Sequence, residues 1–158
     1  MTFSIDDIDK HVICHLMRDA RNVSAPTIAD DADVSAGTIR NRIRRLEEEG
    51  IIRGYHADID HKRIDRMLTT LFVCEASAPE SETLARQTLD IPGVINVREL
   101  MPGRGNVQVE VVGTDTNELA RIAADLSNLG LEIEHEKSVQ REYFHPYQPF
   151  SSDEEGSL

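Results

Sequence analysis

Apolar residues recur at helical spacing in the first third of the chain. The earliest of these patterns predicts a helix over 4–18, with Ser4 as its N-cap. The next predicted helix follows Ser24, a good N-cap, and carries Pro26 in its first turn, where a missing N–H costs nothing. This second helix is predicted to end near Ala32. The apolar positions of the two helices are Ile5, Ile8, Val12, Ile13, Leu16, Ile28 and Ala29.

A third predicted helix follows a tight turn at Asp33-Val34. Ser35 caps its start, and Gly50 ends it because glycine readily adopts the left-handed conformation found after many helices. Two helices around a short turn are typical of the helix-turn-helix, whose second helix lies in the major groove of DNA. The inward-facing stripe of this helix is Ile39, Ile43 and Leu46.

The apolar pattern changes near Leu68, where strand-like runs begin to alternate with helical ones. The predicted order is β-α-β-β-α-β, which is the ferredoxin-like split βαβ arrangement. In the first of these helices, Leu84 and Leu89 are expected to face inward. Val107, Val109 and Val111 alternate with polar residues, which predicts a half-buried strand. Strands are predicted at 71–74, 94–101, 107–111 and 131–139, and helices at 80–89 and between Asp115 and Gly130.

These elements predict an α+β protein in which a helix-turn-helix (winged-helix-like) domain is followed by a ferredoxin-like domain. Residues 1–60 form the first domain, whose last part, 51–60, is expected to be extended. A charged linker at 61–67 leads to the second domain at 68–150. The last residues, 151–158, are acidic and polar and are predicted to be disordered.

Charge is distributed unevenly along the chain. The net charge is −12, which is unfavourable for contact with phosphates. Residues 36–46, however, contain four arginines and no acid, so the acidic groups lie elsewhere. The three lysines, against 14 arginines, and the acidic excess predict adaptation to high salt, a hypothesis that circular dichroism across a salt series tests.

Targeting and cysteine patterns favour a cytoplasmic protein. The first ten residues are acidic and polar, unlike a signal peptide, and no apolar run approaches the roughly 20 residues that span a bilayer. Cys14 and Cys74 do not indicate a disulfide framework.

The third helix carries the side chains expected to read DNA. With its apolar stripe inward, its opposite face presents Gly37, Thr38, Asn41, Arg44 and Arg45. Arg40 and Arg42 lie on the flanks, where they are better placed for phosphates or for local acids. Arginine can bond guanine bidentately, asparagine can bond adenine, and threonine can contact a thymine methyl group or a phosphate. The alternative is that this arginine-rich face is simply solvated. The predicted DNA-binding residues are Ser35, Gly37, Thr38, Arg40, Asn41, Arg42, Arg44 and Arg45.

The first half contains the runs Ile5-Asp6, Val12-Ile13 and Asp19-Ala20-Arg21, followed by Arg44-Arg45-Leu46-Glu47-Glu48-Glu49-Gly50 within 44–55. These runs resemble the Lrp/AsnC family of "feast/famine" transcriptional regulators. The resemblance is most specific over 44–55, and the landmark Pro92-Gly93-Val94 extends it more loosely into the second half. It implies a homodimer, or a higher assembly, that binds double-stranded DNA and whose second domain assembles the subunits and senses a small molecule such as an amino acid. The matching residues of the first half are Ile5-Asp6, Ile8-Asp9, Val12-Ile13, Leu16, Asp19-Ala20-Arg21, Ala29, Val34-Ser35 and 44–55.

The resemblance also implies an effector site near the turn between the second and third strands. In the family this turn often reads Gly-x-x-Asp, whereas here it reads Gly103-Arg104-Gly105-Asn106. The added arginine and the neutral asparagine depart from the family pattern, which weakens the expectation that this turn binds an amino acid. A flexible loop is the alternative explanation for the two glycines.

No catalytic residue, cofactor or metal site is predicted. His11 and His15 have a spacing that can bind zinc, but the sequence indicates no third ligand. One alternative is an enzyme like the sirohaem decarboxylases, which resemble this architecture, with its cationic groups and histidine at Arg98, Arg104, His135 and Arg141. Another is a metabolite sensor that does not bind DNA, against which the arginine face of the third helix argues.

Overall fold

The computed structural model describes residues 4–77 and 79–145, so the predicted tail at 151–158 lies outside the described residues. The chain divides into two compact units. Of the described residues, one unit extends to Ala57 and also includes Phe144 and His145, and the other spans Asp58–Tyr143. None of the described helices is both long and apolar enough to cross a bilayer.

The described part of the first unit contains three helices: α1 (Asp7–Asp19), α2 (Ala25–Ala32) and α3 (Ala36–Glu48). The predicted cap of α1, Ser4, is wrong, because Asp6 is the N-cap and accepts a hydrogen bond from the Asp9 backbone N–H. The Asp9 carboxylate in turn accepts a hydrogen bond from the Asp6 backbone N–H. The two bonds form a capping box, which satisfies two otherwise unpaired donors.

The helix-turn-helix geometry of α2 and α3 depends on local capping. Ser24 and Ser35 cap the two helices, as predicted from their positions. Asp33 ends α2 in the left-handed conformation at φ 52°, which aspartate tolerates better than most residues. The turn therefore forms without glycine, and Gly50, at φ 68°, follows the end of α3 as expected.

A single apolar cluster holds the three helices together. Its fully buried members are Val12 of α1, Ile28 of α2 and Ile39 and Leu46 of α3. Beyond α3 the chain forms no strand between residues 51 and 60, and a 3-10 turn at His61–Arg63 occupies part of the predicted linker.

The second unit is a four-stranded antiparallel sheet with two helices. The sheet order is β2-β3-β1-β4, so β1 and β3 are the central strands, as the ferredoxin-like arrangement requires. Both helices contribute to one core, which lies on one face of the sheet. The elements are β1 (Leu68–Glu75), α4 (Ser81–Thr88), β2 (Val94–Glu99), β3 (Val107–Gly113), α5 (Thr116–Leu129) and β4 (Glu132–Ser138).

Two burial predictions in this unit are wrong. Leu89 is 55% exposed because α4 ends at Thr88 and Leu89 is its C-cap, beyond the last turn that packs on the sheet. Glu110 is buried although its position in β3 alternates with valines. Since β3 lies between β1 and β2, neighbouring side chains cover Glu110 from both sides, and Arg98 lies 3.8 Å from its carboxylate.

Candidate nucleic-acid interface

The orientation of α3 is set by its apolar stripe. Ile39 and Leu46 are completely buried, and Ile43 packs against the same cluster. At 100° per residue, this stripe directs the opposite side of α3 toward solvent. Ser35 begins the helix, and its Oγ accepts a hydrogen bond from the Thr38 backbone N–H at 3.0 Å.

The exposed side of α3 carries polar and basic residues near its first two turns. Gly37, Arg40, Asn41 and Arg44 are exposed, whereas Thr38 is half-buried and its hydroxyl lies 2.9 Å from Ser35 Oγ. Within residues 4–77 and 79–145, neither Arg40 nor Arg44 forms an ion pair. Their guanidinium groups are therefore available for an anionic partner.

Arg42 and Arg45 face α1 instead. Arg45 Nη2 lies 2.5 Å from Asp9 Oδ2. Arg42 Nη1 lies 2.6 Å from Asp6 Oδ2 and 3.3 Å from Asp9 Oδ1. Sequence analysis placed Arg42 on a flank, suited to phosphates or local acids, and Arg45 on the outward face. We call Asp6, Asp9, Arg42 and Arg45 the acid–arginine cluster.

Asp9 is the centre of the acid–arginine cluster. It is fully buried, and its carboxylate contacts both arginines as well as the Asp6 backbone N–H. The hydrogen bond from the Asp9 backbone N–H, supported by the Arg42 guanidinium, lowers the pKa of Asp6 below its ordinary value of 3.8. Two carboxylates and two guanidinium groups balance one another, so the contact between α1 and α3 carries no net charge.

Sequence analysis missed the role of Asp9. The only sign of it is that Asp9 interrupts the apolar stripe of α1, between Ile5 and Val12. Since burial of an unpaired carboxylate is costly, such a position implies a cationic partner. Its partners are 33 and 36 residues away, so sequence spacing does not identify them.

Contacts made by Gly105 and Asn106 hold the predicted effector turn in place. Asn106 is buried, and its side-chain amide both accepts from the Ala76 backbone N–H and donates to the Ala76 carbonyl, each at 2.9 Å. Gly105 has φ 63°, and a Cβ there would lie 2.7 Å from Val73 Cγ1. Gly103 has open space around it. The last two residues of the turn therefore pack against β1 and bond to Ala76, the residue that follows it.

Arg104 is the residue of this turn whose side chain extends into solvent. Its side chain is 90% exposed, and its Nε lies 3.1 Å from Glu134 Oε1. Arg104 and His135 line an open depression together with Glu132 and Glu134. The depression combines a guanidinium group with carboxylates, which suits a small polar molecule better than an apolar one.

The residues considered for a sirohaem-decarboxylase-like site are not all brought together. Arg104 and His135 share the depression, whereas Arg98 lies against Glu110 and is not part of its lining. Arg141 is exposed and is also absent from the lining. The depression thus lacks the cluster of cations that this alternative needs.

Comparison with known sequences links the first unit to DNA binding. A family model described as a winged helix-turn-helix DNA-binding domain matches residues 5–53. An uncharacterized HTH-type transcriptional regulator of Pyrococcus horikoshii is 30% identical over 125 residues, which cover 77% of this chain and 81% of that protein. The HTH-type transcriptional regulator LrpA1 of Halobacterium salinarum is 28% identical over 124 residues, which cover 77% and 84%.

Solved structures share the fold of most of this chain. The leucine response regulatory protein LrpA of Mycobacterium tuberculosis superposes with a TM-score of 0.78 at 18% identity, covering 90% of this chain and 97% of that one. AsnC of E. coli superposes with a TM-score of 0.67 at 18% identity, covering 93% and 100%. The order of helices and strands is therefore that of these proteins.

Proposed function

The chain belongs to the Lrp/AsnC family of helix-turn-helix transcriptional regulators, and from this premise we propose that it binds double-stranded DNA with α3 in the major groove. Arg44 and Asn41 are the residues that contact base edges, and Arg40 contacts the phosphate backbone. Ser35, Gly37 and Thr38 form the start of α3, where the DNA approaches most closely.

The observation that carries this proposal is the division of the four α3 arginines into two pairs. Arg42 and Arg45 are held by carboxylates of α1, while Arg40 and Arg44 are exposed on the other side. The first pair orients the helix, and the second remains for the ligand. Arginine and asparagine at neighbouring exposed positions are the side chains that bond guanine and adenine in the major groove.

The acidic net charge does not oppose this interaction at the site itself. Residues 36–46 carry four arginines and no acid, and two of these arginines are neutralised by α1. Two positive charges therefore remain on the proposed interface. Because the acidic excess lies elsewhere on the chain, we expect weak binding to random DNA and a strong dependence on the bases contacted.

We further propose a homodimer that assembles through the second unit. The core with α4 and α5 lies on one face of the sheet, and Leu71 and Val73 of β1 are directed to the opposite face and are only half-buried. A second copy would cover them. Two-fold symmetry would then place two α3 helices on half-sites about one helical turn apart.

A small-molecule effector, such as an amino acid, is proposed to bind next to Arg104. The open depression beside this residue supports the proposal, because Arg104 can bond a ligand carboxylate through its Nη atoms while its Nε contacts Glu134, and Glu132 and Glu134 suit a ligand amino group. Asn106 contributes by holding the turn in place, since both ends of its amide are used by Ala76. Amino acids that change the DNA affinity of the wild type but not that of Arg104→Ala would support this site.

Fluorescence anisotropy tests the DNA-binding proposal, with DNA from upstream of this protein's own gene, since regulators of this family often control themselves. We expect Arg44→Ala to weaken specific binding by about 1–3 kcal/mol and to relax specificity at one base position. Arg40→Ala should weaken binding to all sequences and reduce the slope of log K against log salt by about one unit. The stoichiometry should be two chains for each pseudopalindromic site.

Arg86→Ala is the matched control, because Arg86 is an exposed arginine on α4, in the other unit. It should bind as the wild type does. Equal losses in Arg44→Ala and Arg86→Ala would mean that binding follows total charge and not the α3 face. Wild-type binding no tighter than to random DNA, under conditions where the protein is folded, would reject the proposal.

A further inference from the structure

The first unit brings a third metal-ligating group to the histidine pair of α1. His11 and His15 are one turn apart on the same face of the helix. Asp31, near the end of α2, lies beside them, and its Oδ2 is 3.0 Å from His15 Nε2. One ligand atom from each of the three residues lies within 4.8 Å of the other two.

We propose that His11, His15 and Asp31 bind a divalent transition-metal ion of the Zn²⁺ type. This site goes beyond the proposed DNA binding and does not depend on it. Two imidazoles and one carboxylate are a ligand set found in zinc sites. Imidazole nitrogen favours zinc, nickel, cobalt and copper over magnesium and calcium, which prefer oxygen ligands.

The spacing of the ligand atoms suits a tetrahedral ion. Bonds of about 2.0–2.1 Å to a tetrahedral zinc place neighbouring ligand atoms about 3.3 Å apart. The observed 3.0 Å between His15 and Asp31 is close to this value. The two imidazole rings are in contact, with centroids 4.8 Å apart and planes at 61°. Small side-chain rotations therefore bring all three groups to bonding distance.

His11 supplies an independent indication of a ligand. Its Nε2 is buried, and it has no hydrogen-bond partner within the part of the chain that the structure describes. Buried polar atoms are nearly always paired, so an unpaired imidazole nitrogen beside two other ligating groups calls for a partner. A metal ion held by His11, His15 and Asp31 would satisfy it.

The surroundings of the three residues leave one side of the ion open. His15 is largely buried, with 17% of its side chain exposed, whereas Asp31 is 58% exposed. The ion would reach the site from the Asp31 side and keep water as its fourth ligand. Because the ligands come from both α1 and α2, the bound ion would link these two helices and stabilise the folded unit.

Isothermal titration of Zn²⁺ into the metal-stripped full chain tests the site, with Co²⁺ absorption as a second readout. We expect one Zn²⁺ per chain and a rise in the unfolding temperature. Asp31→Asn and His15→Gln should each weaken Zn²⁺ binding by more than about tenfold. Loss of a residue that only orients a metal ligand already lowers metal affinity ~10–100-fold. Both should abolish the rise in unfolding temperature.

The matched controls are Asp30→Asn and His56→Gln, which remove an exposed carboxylate and an exposed imidazole outside the site. Both should bind Zn²⁺ as the wild type does. Asp31 is exposed, so Asp31→Asn is expected to fold, and circular dichroism checks it. Absence of saturable Zn²⁺ binding, or wild-type affinity in Asp31→Asn, would overturn the proposal and leave a simple contact between His15 and Asp31. Equal weakening in the controls would also overturn it.

Discussion

Asp9 is one residue that serves two helices at the same time. Its carboxylate completes the capping box of α1 and contacts Arg42 and Arg45 of α3. The orientation of α3 relative to α1 therefore depends on a single buried side chain as well as on the apolar cluster. A change at Asp9 should reach the exposed face of α3 that we propose binds DNA, although Asp9 itself lies on the opposite side of this helix.

At the residue scale, Asp9→Ala should reduce the free energy of unfolding by about 2–4 kcal/mol. Loss of one partner from a buried ion pair costs ~3–5 kcal/mol, and partial exposure of Arg42 and Arg45 reduces this figure. Asp7→Ala is the control, because Asp7 is 96% exposed and, among the described residues, forms its ion pair with Lys10 at the surface. It should cost less than about 1 kcal/mol. Urea unfolding followed by circular dichroism measures both, and equal losses would contradict the central role of Asp9.

The residues at the ends of the helices determine how the helices and strands of this chain connect. In the first unit, Asp33 turns the chain between α2 and α3 in a left-handed conformation. In the second unit, Gly93 turns it between α4 and β2 at φ 99°, and its carbonyl accepts a hydrogen bond from the Val112 backbone N–H at 2.8 Å. Both turns are short, so each depends on one residue with unusual backbone angles.

At the element scale, Gly93→Ala should destabilise the protein by roughly 1–3 kcal/mol. A Cβ at this position would lie 2.6 Å from Ile122 Cδ1 and 2.9 Å from the Val112 carbonyl oxygen, so the Ile122 side chain and the β3 backbone at Val112 would both have to shift. Gly37→Ala should act in the opposite direction and stabilise α3 by up to about 0.5 kcal/mol, because Gly37 lies in the first turn of the helix with space around it. Thermal unfolding compares the two variants. A Gly93→Ala protein as stable as the wild type would show that the backbone around Val112 accommodates the methyl group.

At the scale of the whole molecule, the main feature is that the net charge is negative while the exposed side of α3 is positive. The net charge is −12, yet Arg40 and Arg44 are exposed without an acidic partner in the described residues. Salt has two opposite effects on such a molecule. It screens the repulsion among carboxylates, which favours the folded chain, and it weakens the contacts of arginine with phosphate.

We therefore expect the unfolding temperature to rise between about 0.1 M and 1 M KCl, over which the screening length falls from ~10 Å to ~3 Å. DNA affinity should fall over the part of this range in which the protein stays folded. Circular dichroism measures the first effect, and anisotropy measures the second. Sucrose serves as the control, since it favours compact states without screening charge. An unfolding temperature that does not change with KCl would contradict adaptation to high salt.

The amino-acid sequence by itself determines the elements and their order in this protein. Period and capping depend on residues a few positions apart, so Ser24, Ser35 and Asp115 mark their helices correctly. The alternation of valines in β3 and the turn at Gly93 mark the second unit in the same way. The family resemblance rests on these local patterns, which explains why the fold class and the general function were predictable without coordinates.

Only the tertiary structure decided which polar side chains act together. Arg45 meets Asp9 across 36 residues, Asn106 meets Ala76 across 30, and His15 meets Asp31 from another helix. Helical periodicity assigns a side chain to a face, but it does not say which charge on another element that face will meet. Because paired and unpaired arginines have the same local pattern, the separation of Arg42 and Arg45 from Arg40 and Arg44 required the packed helices.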